Sequence, residues 1–330
     1  MKKQDLKQVH LLRAVAALAV TVFHLYCGNP NLFTQTTAIK KEVSYGYLGV
    51  ELFFLLSGFI ICYALPQTYN LKTDLKTFLL KRITRIEPPY IISIVLLVII
   101  NEVATLYSGV RFDFSLKEFA LHLGYLDNFG FGTYYNVVYW TLGIEFQFYL
   151  LIAFIFPFLI NKSVVSVFLV LSALLALSLV HLKNMAIIFT YLPVFCAGFL
   201  VFLYRYHKSI DLRVYVAMTA LSLAVVWYNL DVAALNTTIT GILILFFFNY
   251  SNRVINYFSK ISYSLYLTHV FIGGKVVNLG LRFVNTNLQR YALFFIALGI
   301  SVLSAHLFYL LIEKPSLKFS KRYRYQNLYS

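Results

Sequence analysis

The chain has 330 residues and is 60% hydrophobic and 18% aromatic, yet only 12% charged, about half the share of an ordinary soluble domain. With a mean hydropathy of +0.74, this composition excludes a soluble globular protein and specifies a polytopic membrane protein. The formal net charge of +15 does not point to nucleic acid, because Lys and Arg punctuate apolar runs instead of covering one face.

In chain order, a basic start (Lys2, Lys3) precedes an apolar run. It has the look of a leader, but no small-x-small cleavage site follows. Tyr26 before Cys27 stands where a lipoprotein box needs a small residue. Residues 9–27 are therefore expected as an uncleaved first helix. Further runs long enough to span fall at about 47–65, 88–107, 139–160, 163–181, 185–204, 213–230, 234–250, 261–283 and 290–313. The expectation is an all-α bundle of about ten transmembrane helices forming a single domain over 1–330. With the N-terminus inside, about 19 Lys and Arg fall in inside segments and about 7 in outside ones, so both termini are expected in the cytoplasm.

Two connections are long. Residues 66–87 carry basic and apolar positions at helical spacing and predict a helix lying on the cytoplasmic membrane surface. Residues 108–138 form an outside loop ending in DNFGFGTYYN, read as a lid or acceptor contact. The tail, 316–330, is basic and aromatic and reads as an inner-surface anchor. Cys27, Cys62 and Cys196 show neither metal-ligand spacing nor an even disulfide set, and no metal is expected.

The ionisable residues inside the apolar runs carry the chemistry. Arg13 and His24 are eleven steps apart. Eleven helical steps come to about 1100°, about 20° past three turns, so both lie on one face about 16 Å apart. Snorkelling of Arg13 and a packing role for His24 stand as the alternative. Only 13 acidic residues exist, and Glu51 and Glu145 lie within apolar runs, where a carboxylate must find a partner or take a proton. Measured along the helix rise, His24 and Glu145 lie about 22 Å, and Glu51 about 21 Å, from the inner ends of their runs. Arg13 lies only about 6 Å from its inner end, near Arg82 and Arg85. The expected pattern is an inner basic cluster and an outer imidazole–carboxylate cluster. Arginines hold phosphates by bidentate, charge-assisted bonds. A histidine takes a proton from an attacking hydroxyl, with a carboxylate fixing its tautomer. Membrane anchoring for Arg82 and Arg85, and a helix-tying hydrogen bond for Glu51 and Glu145, are the bland readings. His269 and His306 are expected to face each other midway along a channel or to bond within the bundle. Lys275 either snorkels or meets a carboxylate.

These residues fall in motifs. Arg13 and His24 form an arginine–ten residues–histidine motif. Gly49-Val50-Glu51-Leu52-Phe53-Phe54 continues to Leu56-Ser57-Gly58-Phe59. Arg82-Ile83-Thr84-Arg85-Ile86-Glu87-Pro88 is followed by Tyr90. Trp140-Thr141-Leu142, Glu145 and Phe148-Tyr149 come next, then Ile261 to His269 and Glu313-Lys314-Pro315. Taken in this order, the chain resembles the acyltransferase family 3 membrane proteins, with Glu51 where Asp is usual and Thr141 for Ser. The resemblance implies acyl-coenzyme A (acetyl-CoA) as donor and His24 as the catalytic residue, with Glu145 and Glu51 beside it. It assigns Arg13, Arg82, Arg85, Ser57 and Tyr90 to the donor and Trp140, Tyr149 and His269 to the substrate. Some members carry a fused extracytoplasmic hydrolase-like domain, which is not expected here.

The expected function is a multi-pass O-acyltransferase of the bacterial inner membrane. It would move an acyl group, foremost acetyl, onto a hydroxyl of an extracytoplasmic glycan or glycolipid. The rival is a transporter or flippase whose charged positions line a path, against which stands the lack of related halves with broken helices.

Overall fold

All ten apolar runs fold as helix in the computed structural model, which describes residues 5–34, 37–108, 111–160 and 163–325. Lys2, Lys3, Lys162, loop residues 109 and 110 and the end of the tail, 326–330, lie outside the described residues. No strand occurs among those described. The helices are α1 (Lys7–Cys27), α2 (Ala38–Ser44), α3 (Gly49–Ala64), α4 (Leu71–Ser108), α5 (Leu116–Leu123), α6 (Trp140–Leu159) and α7 (Val164–Leu177). They continue with α8 (Leu192–Phe202), α9 (Leu212–Asn229), α10 (Val232–Phe247), α11 (Arg253–Gly280), α12 (Asn287–Phe308) and α13 (Lys314–Ser320). Short polar residues start most of the later helices. Asp211, Asp231, Asn252 and Thr286 each accept a backbone N–H three residues on, a cap worth about 1 kcal/mol. At α12 Gln289 closes a full capping box with Thr286.

Seven helical stretches are long and apolar enough to cross a membrane: Lys7–Cys27, Ala38–Ala64, Leu71–Leu106, Trp140–Leu159, Ile188–His207, Leu212–Asn229 and Asn287–Ser320. Helices α7 and α10 are apolar but shorter. Helix α11, with 28 residues, is not among the seven. Ser262, Ser264, Thr268, His269 and Lys275 interrupt its apolar sequence, and it is packed between α1 and α12, where the two serines, Thr268 and His269 find protein partners.

The 66–87 segment runs on into the following span without a break. Most of it is the first half of α4, a continuous helix of 38 residues, or about 57 Å by helix rise. Pro88 and Pro89 sit inside it and withhold N–H groups from the Thr84 and Arg85 carbonyls. The Tyr263 hydroxyl of α11 donates to the neighbouring Ile86 carbonyl at 3.0 Å, next to the two carbonyls that the prolines leave without a helical donor. Helix α13 packs alongside α4, and Lys81 donates to the Tyr323 carbonyl at 2.7 Å.

The bundle is organised around α1, α3, α8 and α11. Every residue of α8 is buried, as expected of a helix that is apolar all round. It crosses α3 at two glycines: a Cβ on Gly58 would enter the Phe195 carbonyl, and one on Gly198 the Leu55 carbonyl. Small residues at such a crossing let two backbones touch. The outward faces keep large apolar side chains exposed, among them Ile99 and Val103 on α4, Phe154 and Phe158 on α6, and Phe295 and Leu303 on α12. A belt of this kind belongs in lipid.

Candidate active site

Helix α1 lies along α11, and this pairing places two histidines together. His269 Nε2 stands 3.1 Å from His24 Nδ1, with ring centroids 5.1 Å apart. His269 Nδ1 is 2.8 Å from the Leu265 carbonyl, and His24 Nδ1 is 3.0 Å from the Val20 carbonyl. A carbonyl oxygen only accepts, so in the neutral pair each Nδ1 carries the proton. His269 Nε2 is then a lone pair that accepts from His24 Nδ1–H. His24 Nε2 is left as a bare lone pair, and no hydrogen bond engages it among the described residues. The partner that orients His24 is a second imidazole, and among the described residues no carboxylate hydrogen-bonds to it.

Two cavities share His24, and a third adjoins one of them. The arginine cavity is lined by Arg13, Arg82 and Arg85, by Ser57, Glu145 and Tyr149, and by Val50, Thr141 and Tyr266. The carboxylate cavity holds His24, Glu51, Asp231, Trp140 and Tyr191. It shares Val50 and Tyr266 with the arginine cavity. The amide cavity holds His24, Lys275 and several asparagines, and shares His24 and Val137 with the carboxylate cavity. The order is therefore arginines, a wall at Tyr266, then His24, then the asparagines.

The arginine cavity carries three guanidiniums against one carboxylate in its lining. The ion pairs found among the described residues are His10–Asp5 and His122–Asp127, so none of the three arginines has a carboxylate at salt-bridge distance. Glu145 and Glu313 act on Arg13 only at longer range. Arg82 Nε is buried without a hydrogen-bond partner among the described residues, while its guanidinium lies over the Phe78 and Tyr149 rings at 5.4 and 5.6 Å. A buried, orphaned donor beside two further guanidiniums fits an incoming phosphate oxygen.

Of the residues singled out in the sequence, Arg13, Arg82, Arg85, Ser57, Glu145 and Tyr149 come together in the arginine cavity. Ser57 Oγ donates to Glu145 Oε1 at 3.0 Å, and the Tyr149 hydroxyl donates to the same oxygen. Glu145 thus sits with the arginines, whereas His24 and Glu51 line the carboxylate cavity. Glu51 lines the carboxylate cavity, and its Oε2 is buried without a partner among the described residues. Trp140 lines that cavity too, 5.6 Å from the Tyr191 ring. Tyr90 lines none of the three. It is fully buried, stacked on Tyr125 and edge-on to Tyr139. His306 faces Tyr257, at 5.7 Å between centroids, instead of His269.

Sequence reasoning gave no separate role to three residues, two of them inside the motifs quoted above. Tyr266, on the wall between cavities, stands 2.6 Å from Thr141 Oγ1 and 3.2 Å from the Val138 carbonyl. Glu313, at the end of a π-helical turn, accepts from the Ser264 backbone N–H and hydroxyl at 3.1 and 2.5 Å. In the 108–138 loop His122 is fully buried. Its Nδ1 lies 2.8 Å from the Glu118 carbonyl and 3.1 Å from Asp127 Oδ2, and its Nε2 accepts from the Tyr135 N–H at 3.2 Å. Burial pushes the Asp127 carboxyl up from its ordinary range, and His122 opposes that rise. This knot fixes the stretch that carries Asn136 and Val137 to the cavities.

The chain is 24% identical to "Putative O-acetyltransferase SACOL0978" of Staphylococcus aureus (strain COL), over 92% of this chain and 56% of that protein. It is 29% identical to the peptidoglycan O-acetyltransferase OatA of Listeria monocytogenes, over 66% of this chain and 33% of that protein. It is also 30% identical to "Putative acetyltransferase ORF330" of Acidianus two-tailed virus, over 47% of this chain and 42% of that protein. The chain spans about half the length of the curated relatives it matches. No solved structure matches it. The acyltransferase domain model covers residues 6–306, from the start of α1 to near the end of α12 and so across the arginine cavity, the histidine pair and Lys275: the chain belongs to that acyltransferase family.

Proposed function

We propose that this chain is a membrane O-acyltransferase that takes an acyl group, foremost acetyl, from cytoplasmic acyl-CoA and delivers it to a glycan hydroxyl on the far face of a bacterial inner membrane. In this reading it crosses the membrane about ten times, with both termini in the cytoplasm. The observation that carries the reading is the order of the cavities. A phosphate-suited cluster lies at one end, a histidine with a bare Nε2 lies past a thin wall, and further cavities open beyond it. Helix rise separates Arg13 and His24 by about 16 Å, a distance suited to an extended pantetheine arm.

Phosphates bind at Arg13, Arg82 and Arg85, and the thioester carbonyl comes to His24. His24 Nε2 takes the proton of the acceptor hydroxyl as its oxygen bonds to the carbonyl carbon. The tetrahedral intermediate breaks its C–S bond, and the imidazolium returns the proton to the leaving thiolate. His269 accepts from Nδ1–H throughout and stabilises the imidazolium, the part a carboxylate plays in a triad. Glu51 borders the acyl position, and Glu145 shapes the donor cavity through Ser57 and Tyr149. The relative named for peptidoglycan O-acetylation supports a glycan acceptor.

The test uses sealed vesicles of known orientation. Acetyl-CoA is supplied on the cytoplasmic face and a non-permeant glycan on the other. Ester product is expected in this arrangement, absent in the reverse one, and absent with His24→Ala at equal membrane abundance. Product that requires both substrates on one face, or persists in His24→Ala, overturns the reading. Loss of glycan export from cells lacking the protein, with no acylated sugar in normal cells, favours the transporter instead.

A further inference from the structure

The amide cavity has a chemistry that acyl transfer alone does not require. Asn29, Asn101, Asn136 and Asn278 line it together with Lys275, and Asn29 Nδ2 donates to Asn278 Oδ1 at 2.6 Å. Lys275 is half-buried within α11. Among the described residues no carboxylate stands at salt-bridge distance from it, and no acidic side chain lines the cavity. An ammonium within an apolar bundle is costly unless water or an anion meets it, and this cavity gives an incoming anion access to it.

The other cavity at His24 is lined by two carboxyl side chains, Glu51 and Asp231, and, among the described residues, by no lysine or arginine. His24, shared by both cavities, therefore lies between an acidic lining and a basic one. The wall formed by Val50 and Tyr266 joins the donor side to the carboxylate cavity, which leaves the amide cavity for the acceptor. An anionic acceptor is repelled from the first and drawn into the second. Amides that both donate and accept suit the hydroxyls of a sugar.

We propose that the amide cavity is the acceptor site and that its acceptor is an anionic sugar, with Lys275 holding a carboxylate or phosphate near the hydroxyl that His24 deprotonates. This rests on the acyltransferase reading for the reaction, though not for the binding.

Full-length solubilised protein is titrated with three synthetic disaccharides: one containing a hexuronic acid, its primary carboxamide, and the corresponding hexose 6-phosphate. The same three are then offered as acceptors with acetyl-CoA. The unmodified protein is expected to bind at least one of the acids about tenfold more tightly than the carboxamide, and the ranking of the two acids identifies the anion. Lys275→Met should bring the preference to within about twofold, and Lys275→Arg should keep most of it. Equal binding of all three by the unmodified protein, or an undiminished preference in folded Lys275→Met, overturns the proposal. Anion-selective binding without acetyl transfer leaves the site standing and removes the acyltransferase reading. Transfer without anion preference does the reverse.

Discussion

Replacing His269 tests the hydrogen-bond logic of the histidine pair. His24 Nδ1–H is shared between the Val20 carbonyl at 3.0 Å and His269 Nε2 at 3.1 Å. In His269→Leu the first contact remains and the second is lost. For a neutral imidazole that contact is worth about 0.5–1.5 kcal/mol, and for the imidazolium about 1.5–3 kcal/mol. The difference, about 1–1.5 kcal/mol, falls on the step that forms the imidazolium, so kcat should drop about five- to tenfold. The KM for acyl-CoA should stay near its original value, because the arginine cavity is untouched. In His269→Gln the amide oxygen can accept as Nε2 did, and part of the rate should return. The assay is steady-state ester formation in reconstituted vesicles, normalised to folded protein. A change confined to KM, or full activity in His269→Leu, would refute the positioning role. Failure of Gln to restore more rate than Leu would show that packing, not the acceptor, is what His269 supplies.

Arg13→Ala and Arg85→Ala should each weaken coenzyme A binding by about 1.5–3 kcal/mol, the range for hydrogen bonds to charged groups. Titration of coenzyme A onto solubilised protein checks this, and unchanged affinity in both would reduce these arginines to helix anchors. Gly198→Val drives a side chain into the Leu55 carbonyl and should cost about 1–3 kcal/mol, read as a lower unfolding temperature and lower membrane abundance. Gly299→Ala, where a Cβ would meet nothing within 4 Å, should show neither loss.

Much of this architecture was legible because hydropathy and spacing report on helices one at a time. The ten runs and the coincidence of Arg13 with Arg82 and Arg85 follow from apolar length and a 3.6-residue period. Position along a helix does not give tilt or rotation, which is why Glu145 was expected beside His24. Its rotation instead brings it to Ser57 on α3 and Tyr149 one turn on. The 66–87 segment reads as separate from the following span because basic and apolar positions at helical spacing look like a surface helix. The Tyr263 hydroxyl, 177 residues away in sequence, meets α4 at Ile86 from another helix. The contact between His24 and His269 depends on how α1 and α11 pack, which no local pattern encodes. The His122 knot had a local sign, Ser115 three residues before Glu118, which starts α5. Nothing in the sequence said that the loop would close on that ring.

A membrane that carries such a protein keeps its ion gradients only if water entering from one side never joins water from the other. Where the arginine and carboxylate cavities adjoin, their common lining is Val50 and Tyr266. Valine offers a proton no stepping stone. The Tyr266 hydroxyl is engaged with Thr141 Oγ1 and the Val138 carbonyl, and Thr141 Oγ1 lies 2.9 Å from that same carbonyl. Whichever hydroxyl donates to the other, the chain ends on a carbonyl oxygen that has no proton to pass on. Passing a proton along it requires a buried hydroxyl to leave its acceptor, at a cost of about 1–3 kcal/mol before any charge has moved. Until a donor arm parts it, a boundary closed by this hydrogen-bonded dead end offers a proton no relay between the two cavities.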